Sequence, residues 1–312
     1  MTLAATAPAP FAKVSVIGLG LLGGSVARAV RARMPGVHVT GYDASADVRA
    51  RAAQIDLADT IAQTPREAVA EAGLVIFCVP VGAMGAAAAT LAPYLPADCV
   101  ISDVGSSKAS VLKALGEALP GHALVPAHPV AGTEQSGPDA GFATLFVGRW
   151  CILTPPEGTP HEAVARVSAF WEGLGAKVEM MEAAHHDLVL AVTSHLPHLI
   201  AYTIVGTASD LEEVTQSEVI KYSAGGFRDF TRIAASDPTM WRDVFLNNRD
   251  AVLAMLQVFT EDLTELQKAI RKGDGEALFD HFTRTRAIRR SIIQMGQDDA
   301  RPDFGRSDHK PA

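Results

Sequence analysis

The sequence predicts a doubly wound α/β domain followed by an all-helical domain. In the first part of the chain, short apolar runs alternate with helical stretches of ten or more residues, which is typical of parallel strands covered on both faces. In the second part no convincing strand occurs, and apolar residues such as Val252, Leu256 and Phe259 recur at helical spacing. A chain of 312 residues, 48% hydrophobic and 20% charged, is long and apolar enough for two such domains.

The strands are predicted from their apolar composition and from the turn residues that end them. The first is followed by a glycine-rich turn and a helix that reaches Met34, where Pro35 and Gly36 end it. The later runs are continuously apolar, which favours parallel pairing with helices on both faces of the sheet. The predicted strands are Lys13–Gly18, Val37–Tyr42, Leu74–Pro80, Asp98–Val104, Ala123–Ala127 and Trp150–Thr154.

The change from strands to helices places a domain boundary between residues 181 and 182. Residues 13–181 form the predicted α/β domain, and residues 182–295 form the helical one. Residues 1–12 are predicted to be a disordered arm, because they lack the basic and the continuous apolar stretch of a secretion signal. Residues 296–312 are polar, contain Pro and Gly, and are predicted to be a disordered tail.

The net charge and the cysteine residues indicate which binding partners and which cellular compartment to expect. The formal net charge of −8 and a pI near 5.7 argue against a nucleic-acid-binding surface, which needs a basic face. Cys78, Cys99 and Cys151 each lie in an apolar run, so we interpret them as small buried side chains and not as a disulfide framework. We therefore expect a cytoplasmic protein.

One segment, Leu188–Ala208, contains no Asp, Glu, Lys or Arg and could be mistaken for a membrane span. It carries His195, Pro197 and His198 in its middle, and a span would have to bury these imidazoles in lipid. A small helical domain cannot cover such a helix on all sides. We therefore expect no membrane insertion but a homodimer, in which this helix is buried between subunits.

The glycine-rich turn after the first strand predicts a dinucleotide site. Gly18, Gly20 and Gly23 form the pattern G-x-G-x-x-G between a strand and a helix, and Asp43 follows Gly23 by 20 residues, after the next strand. The glycines allow the turn, the approach of a pyrophosphate and the packing of helix on strand, while the carboxylate accepts ribose hydroxyls. The predicted domain is thus of the Rossmann type.

Asp43 also favours NAD over NADP as cofactor, because its charge would repel a 2′-phosphate and no Arg or Lys immediately follows it. Arg49, six positions further on, is a cation that could reach such a phosphate. The residues predicted to bind the cofactor are Gly18, Gly20, Leu21, Leu22, Gly23, Asp43, Val79 and Pro80.

Four further segments carry polar side chains at places where a substrate is expected. Residues 103–108 (DVGSSK) and 127–134 (AHPVAGTE) end two predicted strands, at the sheet edge where doubly wound domains bind ligands. Residues 194–198 (SHLPH) lie on the first helix of the helical domain, and residues 225–243 contain GGFRDFTR and MWRD. Together they predict a site between the strand ends and the helical domain.

The chain resembles the prephenate/arogenate dehydrogenase family of tyrosine biosynthesis over about residues 13 to 295, through GLGLLGGS, DVGSSK, AHPVAGTEQSG, SHLPH and GGFRDFTRIAASDPTMWRD in this order. The last three segments are far more specific than the glycine turn, which many oxidoreductases share. The resemblance implies NAD-dependent oxidative decarboxylation of prephenate to 4-hydroxyphenylpyruvate. It also implies a Rossmann-type doubly wound parallel sheet followed by an all-α dimerisation domain with the C-terminal plan of 6-phosphogluconate dehydrogenase.

In the implied reaction a hydride leaves the ring carbon that bears the hydroxyl, and carbon dioxide leaves the opposite carbon. By the resemblance, His128 hydrogen-bonds the ring hydroxyl and accepts its proton, and Ser106 fixes the geometry of that histidine and hydroxyl. Ser194 and His198 meet the carboxylate end of the substrate, and Arg232 binds a carboxylate as a bidentate fork.

Four further residues enter through the resemblance alone. Trp241 is implied to contribute to substrate binding, and Asp187 belongs with it to the supporting residues of the site. Glu134 is implied to bind substrate and, with Asp229, to form a polar gate over the mouth of the site.

The histidines of the helical domain raise the question of a metal site. His195 and His198, three residues apart, and the preceding His185 and His186 carry ligand groups. No cysteine accompanies them and the implied reaction needs no Lewis acid, so we expect no metal and interpret His195 as structural. Whether Lys108 belongs to the site or lies on the surface of a first helical turn stays open at this point.

Three alternatives remain beside the prephenate reaction. An arogenate or dual-specificity cyclohexadienyl dehydrogenase would add an acidic partner for an ammonium group, which Glu134 or Asp229 could supply. A non-catalytic dinucleotide-sensing regulator would lack the base or the carboxylate clamp, whereas His128, His198 and Arg232 are present. A hydroxyacid dehydrogenase of the 6-phosphogluconate type would carry a catalytic lysine in the helical domain, and SHLPH has none.

Overall fold

The computed structural model describes residues 9–133, 135–210 and 225–294. The chain divides into two compact units between Met255 and Leu256. All the candidate site residues described below lie in the first unit, which is therefore the one that carries the site.

The largest feature of the first unit is a six-stranded parallel sheet. Its strands are β1 (Lys13–Ile17), β2 (His38–Tyr42), β3 (Thr60–Ile61), β4 (Leu74–Phe77), β5 (Val100–Asp103) and β6 (Ala123–Leu124). They lie in the order β3-β2-β1-β4-β5-β6, so the connection reverses direction between β1 and β4. This order confirms the predicted doubly wound, Rossmann-type domain, in which ligands bind at the carboxyl ends of the strands beside that reversal.

Helices cover both faces of this sheet. They are α1 (Leu21–Arg33), α2 (Ala46–Gln54), α3 (Pro65–Val69), α4 (Met84–Leu91), α5 (Ala109–Ala118) and α6 (His161–Gly173). Because side chains alternate across a strand, Val16 and Ile76 join the core that contains α1, and Val75 and Phe77 join the core that contains α4 and α5. All four side chains are fully buried, so the sheet is a closely packed support for its carboxyl edge.

A smaller sheet of three strands follows. It consists of β7 (Ala127–Pro129), β8 (Trp150–Leu153) and β9 (Lys177–Met180), with β8 antiparallel to β7 and parallel to β9. The predicted strand Ala123–Ala127 is wrong, because its residues belong to two different strands, β6 and β7. The expectation that all strands pair in parallel is also wrong, because β7 and β8 are antiparallel. Pro126 has no N–H for a parallel ladder, and the chain leaves the first sheet there.

The predicted disordered arm, residues 1–12, is wrong at its end. The Phe11 side chain is only 1% exposed, and its ring lies 6.4 Å from that of Phe170 in an edge-on contact. The Arg166 guanidinium covers the same ring at 4.2 Å. Residues 1–8 and the predicted tail 296–312 lie outside the described residues.

From Ala183 onward the described residues contain helices and no strand, as predicted. The helices are α7 (Ala183–Leu190), α8 (Leu196–Asp210), α9 (Gly225–Thr231), α10 (Pro238–Asn247), α11 (Arg249–Lys272) and α12 (Gly275–Gln294). A π-helical turn at Ala191–His195 joins α7 to α8. Pro197 accounts for this turn, because proline cannot donate to the carbonyl four residues earlier and its ring would clash with it.

The helical stretch Ala183–Asp210 is long and apolar enough to cross a membrane, judged by length and composition alone. One such helix is weak evidence for a span, since helices of soluble proteins pass the same test. Only 28% of its most apolar 18-residue stretch is buried. The side chains of Leu188, Val192 and Val205 are each at least 40% exposed. The described residues therefore leave most of the apolar surface of this helix uncovered.

Candidate active site

The glycine turn between β1 and α1 has the geometry of a dinucleotide cradle. Gly18 has a φ of +98°, and a Cβ there would lie 2.7 Å from the carbonyl oxygen of Cys78. At Gly23 a Cβ would lie 1.9 Å from the carbonyl oxygen of Gly18. Among the described residues, no atom lies within 4 Å of the Cβ position of Gly20, so there is space beside the turn.

The amino end of α1 offers donors to an anion in that space. Gly20 occupies the N-cap without a side-chain hydrogen bond, and no acidic residue lies in the first turn. The first N–H groups and the helix dipole therefore favour a negative group there, so the turn fits a pyrophosphate. Leu21 and Leu22 begin this helix and are half-buried. A Cβ at Gly18 would lie 2.9 Å from the side chain of the half-buried Val79, and the adjacent Pro80 is exposed.

The carboxylate of Asp43 is fixed at the end of β2. Its two oxygens accept hydrogen bonds from the N–H groups of Leu19 and Ser45, each at 2.9 Å. Each oxygen retains a lone pair for a ribose hydroxyl. The Arg49 guanidinium donates to the carbonyl oxygens of Asp43 (2.8 Å) and Ala44 (3.1 Å) and is thereby held beside this carboxylate.

A buried ion pair between Asp103 and Lys108 lies between the end of β5 and the start of β7, and neither side chain is exposed. The Lys108 Nζ also donates to the Ala127 carbonyl at 2.8 Å, while Asp103 accepts from the N–H groups of Gly105 (2.6 Å) and Ala127 (3.2 Å). These hydrogen bonds fix the backbone of Ala127, the residue that precedes His128. The open question about Lys108 is thus decided: it is a core residue under the site and not a surface lysine.

His128 is the last link of a chain of three side chains. Its Nδ1 lies 2.8 Å from Nε2 of His186, whose own Nδ1 lies 2.9 Å from an oxygen of Asp187. His186 is fully buried, and His128 and Asp187 are each less than 9% exposed. No hydrogen bond to Nε2 of His128 is made within the described part of the chain, so this atom can face a substrate.

Asp187 is held in its ionised form. Burial alone raises the pKa of its carboxyl group, but the hydrogen bond from His186 and two backbone N–H groups lower that pKa below the usual value. These N–H groups belong to Lys108 (2.7 Å) and Ala109 (2.9 Å), at the amino end of α5. A residue of the helical segment thereby caps a helix of the α/β domain.

The hydrogen bonds fix the tautomers of both histidines. An ionised carboxylate only accepts, so Nδ1 of His186 carries a proton, and the tautomer with its one proton on that nitrogen leaves Nε2 as an acceptor. Nε2 of His186 must then accept from Nδ1 of His128, which leaves an unprotonated Nε2 on His128. Burial, with contributions from His186, Lys108 and His195, lowers the pKa of His128 well below 6.5. His128 is therefore a neutral proton acceptor at pH 7.

Ser106 does not have the contact expected of it. It lies half-buried in the turn after β5, and within the described residues its hydroxyl makes no hydrogen bond to His128. The orienting partner of His128 is His186 instead. The catalytic role of Ser106 toward the substrate hydroxyl stays a prediction.

The substrate-binding residues predicted in the helical segment lie on α8, on α10 and in the turns before them. His198 stacks on Trp241 with ring centroids 3.6 Å apart, and its Nδ1 donates to the Ser194 carbonyl at 2.9 Å. Burial and the charge of Arg232 both lower the pKa of His198, which places Arg232 near this imidazole. Arg232 is itself exposed, in the turn Arg232–Ala235. These four predicted residues are thus brought together.

The predicted polar gate consists of Glu134 and Asp229. Glu134 lies outside the described residues, and Asp229 is exposed on α9. Within the described ranges, no group of three or more His, Cys, Asp or Glu side chains is placed to hold a metal ion.

Sequence reasoning missed His186 and Asn248. His186 was considered only as a metal ligand, and its neighbour Asp187 was named only through the resemblance. Asn248, between α10 and α11, is 5% exposed and its amide donates to the Asp187 carbonyl at 2.8 Å. The adjacency of a histidine and an aspartate was the one signal for the first, and the sequence contains no signal for the second.

Two family models match the chain. The model for the prephenate dehydrogenase nucleotide-binding domain matches residues 26–180, and the model for the prephenate dehydrogenase dimerization domain matches residues 182–284. The chain is 48% identical to a cyclohexadienyl dehydrogenase of Zymomonas mobilis, over 90% of this chain and 96% of that protein. It is 33% identical to a prephenate dehydrogenase of Bacillus subtilis, over 93% of this chain and 78% of that one.

A solved structure is similar over nearly the whole fold. The prephenate dehydrogenase of A. aeolicus, crystallised with hydroxyphenyl propionate and NAD+, superimposes with a TM-score of 0.84 at 32% identity. The match covers 90% of this chain and 98% of that one. The predicted family is thereby confirmed, and the chain belongs to the prephenate dehydrogenase family of oxidoreductases.

Proposed function

We propose that this chain catalyses the NAD-dependent oxidative decarboxylation of prephenate to 4-hydroxyphenylpyruvate. The observation that carries the proposal is the chain Asp187–His186–His128, which ends in an unprotonated Nε2. His128 lies on β7, directly after the last strand of the parallel sheet, and the carboxyl edge of that sheet also carries the glycine turn. Membership in the family, and the NAD+ and hydroxyphenyl propionate in the A. aeolicus relative, support the same reaction.

When bound, NAD would supply the acceptor for the hydride that leaves the ring carbon bearing the hydroxyl. His128 Nε2 takes the hydroxyl proton as that carbon–oxygen bond becomes a carbonyl. The proton that arrives on His128 is accommodated through the hydrogen bond to His186, whose other nitrogen is bonded to the ionised Asp187. Carbon dioxide then leaves the opposite carbon, and the electron pair of the broken carbon–carbon bond makes the ring aromatic. The phenolic oxygen recovers a proton from His128.

NAD is the proposed cofactor rather than NADP. Asp43 is fixed by Leu19 and Ser45 in a position to accept the ribose hydroxyls, and its charge would oppose a 2′-phosphate. Arg49 is occupied by two carbonyl oxygens next to that carboxylate, so it would have to leave them to bind a phosphate.

Arg232 is proposed to bind a substrate carboxylate. Replacing Arg232 by alanine is expected to raise KM for prephenate by about 10- to 100-fold with little change in kcat, because a carboxylate fork contributes equally in ground and transition states. Initial-rate measurements over a wide range of prephenate concentrations test this. Arg228→Ala, which removes an exposed cation from α9, is the matched control and should leave KM unchanged. An unchanged KM in Arg232→Ala would assign the carboxylate to Arg228 or another cation.

Arogenate is the second candidate substrate. The relative at 48% identity is named for cyclohexadienyl substrates as a class, which favours use of both acids. The two substrates differ only in the side chain, a keto acid in prephenate and an amino acid in arogenate. The reacting ring and the role of His128 are the same for both.

The proposed reaction is tested by assaying NADH formation with prephenate and with arogenate, each with NAD and with NADP. We expect turnover of prephenate with NAD, and 4-hydroxyphenylpyruvate and carbon dioxide as products in equal amounts. Turnover of arogenate alone would make the chain an arogenate dehydrogenase. Binding of NAD without turnover of either acid would favour the dinucleotide-sensing regulator.

We also propose that the chain acts in the cytoplasm as a homodimer joined through its helical segment. The uncovered stretch Ala183–Asp210 and the match to a dimerization domain support this assembly. All three cysteines are free thiols, which suits a reducing compartment. Light scattering coupled to size exclusion at micromolar concentration should give twice the chain mass of 32.9 kDa. A fully active species of single-chain mass would contradict the proposed dimer.

A further inference from the structure

His195 is a buried histidine that the mechanism above does not use. It ends the π-helical turn, its side chain is fully buried, and its ring contacts the edge of Trp241 with centroids 6.1 Å apart. His195 also contributes to the lowered pKa of His128, so the two imidazoles are close enough to influence each other. Through Asn248 it is also joined to the backbone of Asp187, the residue at the far end of the chain that orients His128.

Asn248 fixes which nitrogen of His195 carries the proton. The amide Nδ2 of Asn248 lies 2.8 Å from the Asp187 carbonyl oxygen and 3.0 Å from Nδ1 of His195. A carbonyl only accepts, so this Nδ2 must be the NH2 group, and its second hydrogen points to Nδ1 of His195. That nitrogen is then the unprotonated one, and the proton of the neutral ring is on Nε2.

The resulting Nε2–H of His195 is a donor without an acceptor. Its nitrogen is buried and has no hydrogen-bond partner within the described residues, and the same holds for Nε1 of the adjoining Trp241. Buried donors are nearly always satisfied, so one left open beside a proposed catalytic base indicates that a ligand supplies the acceptor.

His195 supplies this donor without a charge. Burial lowers the pKa of His195 to about 4, although Asp187 on α7 acts in the opposite direction. The other titratable groups that face it are His186 on α7, His198 on α8 and His128 on β7. His195 and His128 are thus neutral at pH 7 with opposite polarity: the first offers a proton at Nε2 and the second a lone pair.

We propose that Asn248 is a positioning residue that keeps His195 as a neutral Nε2–H donor, and that this donor binds the substrate oxygen from which His128 removes the proton. This inference rests on the proposed function. A neutral donor suits an oxygen that is uncharged in the bound substrate and gains negative charge as the ring becomes aromatic. The substrate carboxylates, which are charged throughout, are assigned to Arg232 instead.

The tautomer is tested directly on the native protein. Protein with 15N-labelled histidine is examined by long-range proton–nitrogen correlation, and His195 is identified by its loss in the His195→Gln variant. We expect the Nε2–H tautomer for His195, and the spectrum needs no turnover. An Nδ1–H tautomer, or a charged ring at pH 7, would overturn the inference even if prephenate is turned over normally.

The kinetic test uses Asn248→Asp, which replaces the donor by a carboxylate that only accepts. His195 should then shift to the Nδ1–H tautomer and lose its Nε2 donor, and kcat should fall by about 100-fold with little change in KM. His195→Gln keeps an N–H near the Nε2 position and is expected to stay within about 10-fold of the native kcat, whereas His195→Leu should resemble Asn248→Asp.

Asn247→Asp is the matched control, because the Asn247 amide donates to the Asp243 carbonyl and does not contact His195. Its kcat should equal that of the native enzyme. A rise in KM at constant kcat in Asn248→Asp would mean that His195 binds a carboxylate, and weaker NAD binding without substrate would mean that it contacts the cofactor. Either result overturns the proposal, whereas failure of the proposed function would appear as absent turnover with the native tautomer intact.

Discussion

Asparagine in place of His128 is expected to lower kcat by about 10²- to 10⁴-fold and to leave NAD binding unchanged. Asparagine is small enough for the site of the imidazole and keeps a polar group toward His186, but it cannot accept a proton at neutral pH. The glycine turn at residues 18–23 and Asp43 are not altered, so the cofactor site stays intact. Steady-state kcat with prephenate and a direct titration of NAD binding measure the two effects separately.

His185→Asn is the matched control for this variant. His185 lies next to His186 in the sequence, but its side chain is exposed, so the same substitution there should leave kcat at the native value. Near-normal turnover by His128→Asn would remove His128 from the mechanism. Equal losses in both variants would point to a general disturbance of α7 rather than to the loss of a base.

The same histidine determines how activity depends on pH. Because burial lowers the pKa of His128 well below 6.5, the imidazole stays unprotonated, and thus competent as a base, at pH values where an ordinary histidine is already charged. The acidic limb of kcat/KM in the native enzyme should therefore lie below pH 6.5. The residual activity of His128→Asn should lack that limb, since no imidazole remains to be protonated.

Features that depend on neighbours in the sequence could be predicted from the sequence. Gly18, Gly20 and Gly23 are required by one turn and the helix that follows it, and Asp43 ends the adjacent strand, so a single β-α-β unit contains the whole signal. The order of apolar runs likewise predicted the parallel sheet. Pro126 could have predicted the early end of β6, because a residue without an N–H interrupts a ladder.

Features that depend on packing between distant segments could not be predicted in this way. His186 contacts His128 across 58 residues of sequence, and Asn248 contacts Asp187 across 61, because α7 packs beside both β7 and the end of α10. Lys108 resembles an ordinary first-turn lysine until the end of β5 places Asp103 against it in the core. Phe11 belongs to the arm predicted to be disordered from its composition, yet its ring packs against that of Phe170.

Lys108→Met is expected to destabilise the protein by about 3–5 kcal/mol, the usual result of removing one partner from a buried ion pair. Methionine fills the space of the lysine stem, so the loss comes from the charge and not from a cavity. Asp103 would remain fully buried with only the N–H groups of Gly105 and Ala127 as partners. Thermal unfolding should show a decrease in Tm on the order of 10 °C, whereas Lys113→Met, at an exposed position on α5, should leave Tm unchanged.

The dependence of this loss on pH identifies its cause. Burial raises the pKa of Asp103, and without Lys108 that pKa rises further, so the folded variant binds a proton more readily than the unfolded chain does. Stability of Lys108→Met should therefore increase relative to the native protein as the pH is lowered, since the proton replaces the missing cation. Adding Asp103→Asn removes the unpaired charge altogether and should recover most of the lost Tm at neutral pH. A double variant no more stable than Lys108→Met would mean that the lysine stabilises the strand ends through its bond to the Ala127 carbonyl, and not by neutralising Asp103.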